Sequence, residues 1–464
     1  YFETGKTAPC NKLFCPSYAK AASRDPLSNE TDYYLSVGLN SGLKEKDFER
    51  KKLNLVIVLD ISGSMSSRFN TYYYDGAGQR KIIPEVEEDP DDDKSKLTVA
   101  SKSIAALMDH LRPGDRFGMV LYDDQAYLAK PLNPVEETNM QAIKGHIMEL
   151  SPRGGTRMSA GMRMASELYT ERLRDDKDEY ENRIIFLTDA QPNLGDTTPH
   201  GLLGQTEGNS KDGVHTTFIG IGVDFNTDLI ERITKIRGAN YYSVHSASQF
   251  KKRMDEEFEY MVTPLVFNLE LKLESEGWEI LEVYGSPEAD EATGQIMKVN
   301  TLFPSKRVQE ETRGGIVLLK LRKTGEDSLL NLKVTYEDRN DVKGKAENNV
   351  RLADLKPEHF DNTGVRKAVL LSRYADLMKN WINDERLAEK TSYTLEPTVT
   401  YEDGIIVPQP VQLGRWERQS IPLRVSTYYK GVIGDFKEYF KQEAKAIGDE
   451  TLNNETIIMD ALTK

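Results

Sequence analysis

Leu53-Asn54-Leu55-Val56-Ile57-Val58-Leu59-Asp60-Ile61-Ser62-Gly63-Ser64 is the stretch whose reading decides the fold. Its first seven residues are mostly aliphatic and β-branched, a run of the length and type expected for a strand buried on both faces. An acid and two hydroxyls follow at once, so Asp60, Ser62 and Ser64 fall at the carboxyl end of that strand. Ligands of open α/β sheets bind outside that end. Gly63 lets the loop turn sharply enough to bring both hydroxyls round. Asp and Ser supply hard oxygen donors, which suit Mg²⁺, Mn²⁺ or Ca²⁺ and not zinc or copper.

Outward from this stretch, strands alternate with helices. Apolar runs at 117–122, 184–187 and 216–221 read as strands. Helical spacing covers 97–111, 140–150, 158–168, 229–236 and 250–260. This alternation over 51–262 predicts a Rossmann-like, doubly wound parallel sheet. Two more pieces reach the same edge of it. Pro152-Arg153-Gly154-Gly155-Thr156 is a glycine turn that opens a helix and presents a hydroxyl. Leu187-Thr188-Asp189 ends another buried strand. Asp60, Ser62, Ser64, Thr156 and Asp189 are therefore the expected metal ligands.

This set resembles the metal-ion-dependent adhesion site of von Willebrand factor A domains, which combine Asp-x-Ser-x-Ser, a Thr and a distant Asp in that order. The resemblance spans residues 51–262, with all five positions matched. It implies hydroxyl ligation by Ser62, Ser64 and Thr156, with Asp60 and Asp189 binding directly or through water. It further implies a divalent cation, Mg²⁺ first and Ca²⁺ or Mn²⁺ as alternatives, with one position open for an Asp or Glu carboxylate of a partner protein. Asp189-Ala190-Gln191-Pro192-Asn193-Leu194-Gly195 and Ile219-Gly220-Ile221-Gly222-Val223-Asp224-Phe225-Asn226 resemble the bacterial calcium-activated chloride channel homologues and the inter-alpha-trypsin inhibitor heavy chains. That branch usually has Gly and Asp where Ala190 and Gln191 stand. The adjacent calcium site of integrins needs acids where Ser66 and Ser67 lie, and is not expected.

The flanks follow a different rhythm. Residues 1–30, rich in Ser, Pro, Ala and charge, read as an irregular leader. Tyr33, Leu35, Val37 and Leu39 alternate as a half-buried strand within 31–50, and Leu265, Phe267, Leu269, Leu271 and Leu273 do so after Pro264. Residues 263–362 therefore read as an antiparallel β-sandwich. The early strand needs a sheet to join, so the α/β domain is expected to be inserted into that sandwich. Residues 363–464 read as mainly helical, with Thr363 as the N-cap and apolar stripes running through Val365, Leu377 and Trp381 and through Val432, Phe436 and Phe440.

Composition narrows the function. The 464 residues carry a net charge of -14, which argues against nucleic acid. No apolar run approaches the roughly 20 residues of a membrane-spanning helix. Cys10 and Cys15 are the only cysteines, read as a local disulfide or as free thiols. With the sequons at Asn29 and Asn454 they point to a secreted or cell-surface protein, periplasmic in a bacterium. Residues 68–94 form a long acidic insertion, either a solvated loop or a second cation site. The six histidines (His110, His146, His200, His215, His245 and His359) are scattered, and no hydrolase or nucleotide-binding motif is present. The expectation is a metal-dependent adhesion module and not an enzyme. The alternatives are a self-associating surface-layer or filament component and, more remotely, a metal-dependent hydrolase.

Overall fold

The computed structural model describes residues 13–41, 50–69, 72–74, 80–82, 91, 93–169, 179–189, 201–222, 232–244, 246–286, 288–304, 316–326, 329–352, 355–392, 398–402, 405–409 and 423–464. Cys10, the loop after Asp189, residues 223–226 and most of the acidic insertion lie outside them.

The chain opens with β1 (Phe14–Arg24) and β2 (Thr31–Ser41), an antiparallel pair in register from Phe14↔Ser41 to Arg24↔Thr31. This corrects the reading of residues 1–30 as an irregular leader: 14–24 is strand. Ala19 and Ala21 are buried on one face, with Ser17 and Ser23, and Ala22 on the other. Small residues buried on both faces give too weak a hydropathic alternation to stand out in the sequence.

The α/β domain follows. Its strands are β3 (Lys52–Asp60), β6 (Arg116–Tyr122), β7 (Ala126–Pro134), β8 (Tyr180–Thr188), β9 (Val214–Ile221) and β10 (Asn240–Val244). Between β3 and β6 lies a small hairpin of β4 (Tyr72–Tyr74) and β5 (Arg80–Ile82), the described part of the insertion's interior. The large sheet runs β10-β9-β8-β3-β6-β7, parallel throughout except for β7 at one edge. The helices are α1 (Lys96–Leu107), α2 (Met140–Met148), α3 (Met158–Glu167), α4 (Leu202–Lys211), α5 (Ala247–Met254) and α6 (Phe258–Val262).

Alternation along β3, with both faces covered, explains why it is aliphatic from Leu55 to Leu59. Leu53, Leu55, Ile57 and Leu59 pack with Leu97, Ile104 and Leu107 of α1 and with Phe250 of α5 on one face. Val56 and Val58 pack with Met158, Met162 and Ala165 of α3 on the other. The helix expected over 250–260 is two short helices, α5 beginning earlier at Ala247 behind its Ser246 cap.

Beyond α6 come β11 (Val266–Glu274), β12 (Trp278–Tyr284), β13 (Gln295–Leu302), β14 (Ile316–Lys323), β15 (Leu329–Glu337), β16 (Lys343–Arg351) and β17 (His359–Phe360). They form two sheets with the opening pair, ordered β12-β14-β2-β1-β17 and β13-β11-β15-β16. Leu35 and Val37 of β2 meet Leu271, Leu319, Leu332 and Val334 in the core between them. β2 pairs β14 across the whole intervening α/β domain. That domain is thus inserted in an antiparallel sandwich.

The C-terminal region holds α7 (Thr363–Ser392), a two-stranded ladder of β18 (Thr398–Glu402) and β19 (Ile405–Gln409), then α8 (Thr427–Ile447) and α9 (Asn453–Thr463). Val365 and Val369 cover Ala21, Tyr34 and Leu318 on the outer sheet face, while Leu377 and Trp381 pack on Ile433, Phe436 and Phe440. The cap of α7 is Asn362, whose Oδ1 accepts the Val365 N–H at 2.8 Å. Thr363 is the first helical residue instead, since an Asn carbonyl reaches the exposed N–H groups as well as a hydroxyl does.

Candidate metal centre

Asp60 closes β3 and is fully buried. Its Oδ1 accepts the Ser62 N–H at 2.8 Å, which folds the loop back on the strand end. Its Oδ2 accepts the Tyr122 hydroxyl at 3.0 Å and the Thr188 hydroxyl at 2.8 Å. These donors, one from each neighbouring strand, fix the carboxylate in the sheet, and all are neutral. Burial pushes the Asp60 pKa up, and the charge of Asp189 adds to that rise against the hydrogen bonds that lower it. A buried carboxylate without a cation is costly to ionise.

After Asp60 the chain enters a short 3₁₀ turn, Gly63–Ser66. It brings Ser62 Oγ to 3.0 Å from Ser64 Oγ, and Ser64 Oγ donates to Asp189 Oδ1 at 2.7 Å. Asp60, Ser62, Ser64 and Asp189 are therefore linked in one continuous set of contacts at the carboxyl ends of β3 and β8.

Thr156 stands on the neighbouring loop. Arg153 N–H donates to the Ile61 carbonyl at 2.7 Å and Gly63 N–H to the Gly154 carbonyl at 3.1 Å, so the two loops are laced by backbone. Gly154 has φ +68°, and a Cβ there would sit 3.0 Å from Asp124 Oδ2. Glycine is what this crossing requires. Thr156 is exposed, and its hydroxyl is not hydrogen-bonded to any of the other four residues.

Two groups beside the centre were not anticipated from the sequence. Lys96, at the start of α1, places Nζ 3.1 Å from Asp189 Oδ2, with its side chain 9% and that of Asp189 1% exposed. Gly222, at φ +112° just past β9, makes room: a Cβ there would approach Lys96 Nζ to 3.0 Å. One signal was available in the sequence. A basic residue directly after the Ser95 cap opposes the helix dipole, so it needs a local anion. Asp124, beyond β6, accepts the Gly155 N–H on Oδ1 at 2.9 Å and so borders the Thr156 loop.

Among the described residues no cluster of three or more His, Cys, Asp or Glu could hold a metal. Any ion here relies on hydroxyls as well as carboxylates. The donors fit a hard divalent cation: a buried Asp60 with no cationic partner, two adjoining hydroxyls, a second carboxylate and a third hydroxyl on the facing loop.

Comparison with known proteins bears on the α/β unit as a whole. Residues 55–191 match the family model of the von Willebrand factor type A domain, and the α/β unit is a domain of that class. Over 217 residues the chain is 22% identical to inter-alpha-trypsin inhibitor heavy chain H4 of Homo sapiens, covering 46% of this chain and 20% of that protein. It is 23% identical over 230 residues to the uncharacterized protein YfbK of Escherichia coli K12, covering 49% and 35% respectively. The matches thus span about a fifth to a third of these relatives' own length. Among solved structures, a von Willebrand factor type A protein from Catenulispora acidiphila aligns over 81% of this chain and 82% of its own, at 14% identity and a TM-score of 0.46. No helix among the described residues is long and apolar enough to cross a membrane.

Proposed function

We propose that the inserted domain is a metal-dependent docking module. Asp60, Ser62, Ser64, Thr156 and Asp189 hold one divalent cation, Mg²⁺ in the first instance, and a carboxylate of a partner protein completes its coordination. The observation that carries this reading is Asp60: a fully buried carboxylate whose hydrogen-bond donors among the described residues are all neutral. A divalent ion would supply the missing countercharge. The protein would bring few negative charges to that ion, leaving it electrophilic towards an outside carboxylate.

A binding role is favoured over hydrolysis. Ser64 Oγ donates to Asp189, whose other oxygen holds Lys96, and among the described residues no histidine is bonded to Ser62 or Ser64. The acidic chain, the sequons and the resemblance to the inter-alpha-trypsin inhibitor heavy chains support a location outside the cell or in a periplasm. The test is recovery of the partner from the native source by the intact chain in Mg²⁺, in EDTA and with Asp60→Ala. The partner is expected in the first arm alone; equal recovery in EDTA would end this reading.

A further inference from the structure

Four of the five residues at the metal centre hold one another, and the fifth stands apart. Asp60, Ser62, Ser64 and Asp189 are joined by hydrogen bonds, whereas the Thr156 hydroxyl is bonded to none of them. The backbone of its loop therefore sets where that hydroxyl lies. The loop is seated on two adjacent acids just beyond β6. Asp123, which is buried, takes both ends: its Oδ2 accepts from Arg153 Nε at 3.1 Å and its carbonyl accepts the Arg157 N–H at 2.7 Å. The Tyr127 hydroxyl and the Gln125 N–H fix its carboxylate in turn, at 3.1 and 3.0 Å. Asp124, which is exposed, takes the middle, its Oδ1 accepting the Gly155 N–H at 2.9 Å. A Cβ on Gly155 would overlap that oxygen, and one on Gly154 would sit 3.0 Å from the other. The two glycines leave the room that Asp124 fills.

We propose that Asp124 is a positioning residue of the metal centre: it holds the Gly155 amide and, through it, sets the Thr156 hydroxyl where the cation takes it. This rests on the reading of Thr156 as a ligand. Glycine loses more conformational freedom on being ordered than any other residue. A Gly-Gly step left free in the empty site would be ordered only when the ion arrives, and that loss would weaken binding. Asp124 orders the step beforehand. Asp123 cannot do so from the two ends of the loop, because both glycines lie between them. What Asp124 supplies is an acceptor at a fixed place. Its charge faces water, where salt screens it, so an amide oxygen at position 124 should serve as well.

The experiment is calorimetric titration of Mg²⁺ into the full chain at physiological salt. It compares wild type with Asp124→Ala, Asp124→Asn, Thr156→Ala and the Asp124→Ala/Thr156→Ala double variant. Asp124→Ala is expected to weaken Mg²⁺ binding roughly five- to tenfold, and Asp124→Asn by less than about twofold, since its Oδ1 still accepts. The double variant should bind no more weakly than Thr156→Ala alone, because the first change acts through the second residue. In EDTA, hydrogen exchange of residues 153–157 should quicken in Asp124→Ala and not in Asp124→Asn. Full Mg²⁺ affinity in Asp124→Ala, an Asp124→Asn as weak as Asp124→Ala, losses that add in the double variant, or exchange alike in all chains overturns the positioning role alone. Affinity unmoved by Thr156→Ala removes Thr156 from the ligands and the role of Asp124 with it. A wild type that binds no Mg²⁺ overturns the metal reading itself.

Discussion

Lys96 Nζ and Asp189 Oδ2 stand 3.1 Å apart with both side chains nearly shut off from water, so one of the two carboxylates of the metal centre is already half-neutralised by the protein itself. Asp60 and Asp189 together with Lys96 amount to a single net negative charge. A divalent ion added to them would leave an excess of positive charge, the condition that favours capture of an anion.

Replacing Lys96 separates these effects. Lys96→Met keeps the apolar stem but frees Asp189 for the metal. Mg²⁺ should then bind roughly tenfold or more tightly, while a carboxylate peptide binds the loaded domain more weakly. Calorimetric titration of both ligands checks the opposed changes. Weaker Mg²⁺ binding in this variant would show that Lys96 supports the ion instead of competing with it.

Gly161 of α3 sits against the same machinery. A Cβ there would meet Tyr122 Cδ1 at 2.9 Å and Val58 Cγ1 at 3.1 Å, and Tyr122 holds Asp60 through its hydroxyl. Gly161→Val should cost about 1–3 kcal/mol through overpacking and also loosen Mg²⁺ binding by moving Tyr122. Tyr122→Phe, which removes the hydrogen bond without the clash, should cost only about 1 kcal/mol. Thermal unfolding and Mg²⁺ titration of the two variants distinguish strain from lost hydrogen bonding.

At the opposite edge of the sheet, Glu181 pairs with Arg183 at 2.7 Å and with His215 at 2.8 Å. Burial alone would raise its carboxyl, but the His215 and Arg183 charges reverse this and hold it at about 2, below its ordinary 4.5. A depressed carboxylate contributes stability that is present above the unfolded value. That stability is lost as pH falls from about 4.5 towards 2. Glu181→Gln leaves Arg183 buried without its counter-ion, at a cost of roughly 3–5 kcal/mol at neutral pH, and should flatten the acid limb. Denaturant melts between pH 7 and pH 2.5 check both; an unchanged acid limb would remove Glu181 from the account.

The inserted domain is tied to the sandwich by Arg237, which reaches Glu337 at 2.6 Å and lies 4.0 Å over the Phe267 ring. The Gly238 N–H adds a bond to Thr301 Oγ1 at 2.6 Å. Arg237→Ala should loosen this junction while leaving the metal centre, at the other end of the sheet, intact. Calorimetry should resolve two unfolding transitions where the wild type shows closer coupling, with Mg²⁺ affinity unchanged.

Much of this was legible in the sequence because the signals are local. β3 announces itself by five consecutive aliphatic residues, Leu55 to Leu59, and its carboxyl end must then carry Asp60. Strand position put Asp189 on the same sheet edge as Asp60, and the structure sets it against Ser64. The alternation of Leu265 to Leu273, echoed by Leu35 and Val37 before the α/β unit, required a sandwich with an insertion. What stayed hidden depends on distant packing. β1 is buried through small alanines, and the edge strand β7 alternates weakly because Leu128 is 48% exposed while Lys130 is buried. Lys96 offers only its place after the Ser95 cap as a signal until the fold sets it on Asp189, ninety-three positions away.

The central claim is that the five residues hold one ion with a coordination position left open. Mn²⁺ bound to the intact chain, followed by water-proton relaxation, reports both the stoichiometry and the exchangeable water on the ion. The account predicts one Mn²⁺ per chain, displaced by Mg²⁺ and abolished by Asp60→Ala. It predicts a relaxation enhancement that falls when a blocked Gly/Ser hexapeptide bearing a single Glu is added, as the carboxylate replaces that water. A bound Mn²⁺ with no exchangeable water, or one that persists in Asp60→Ala, would contradict it.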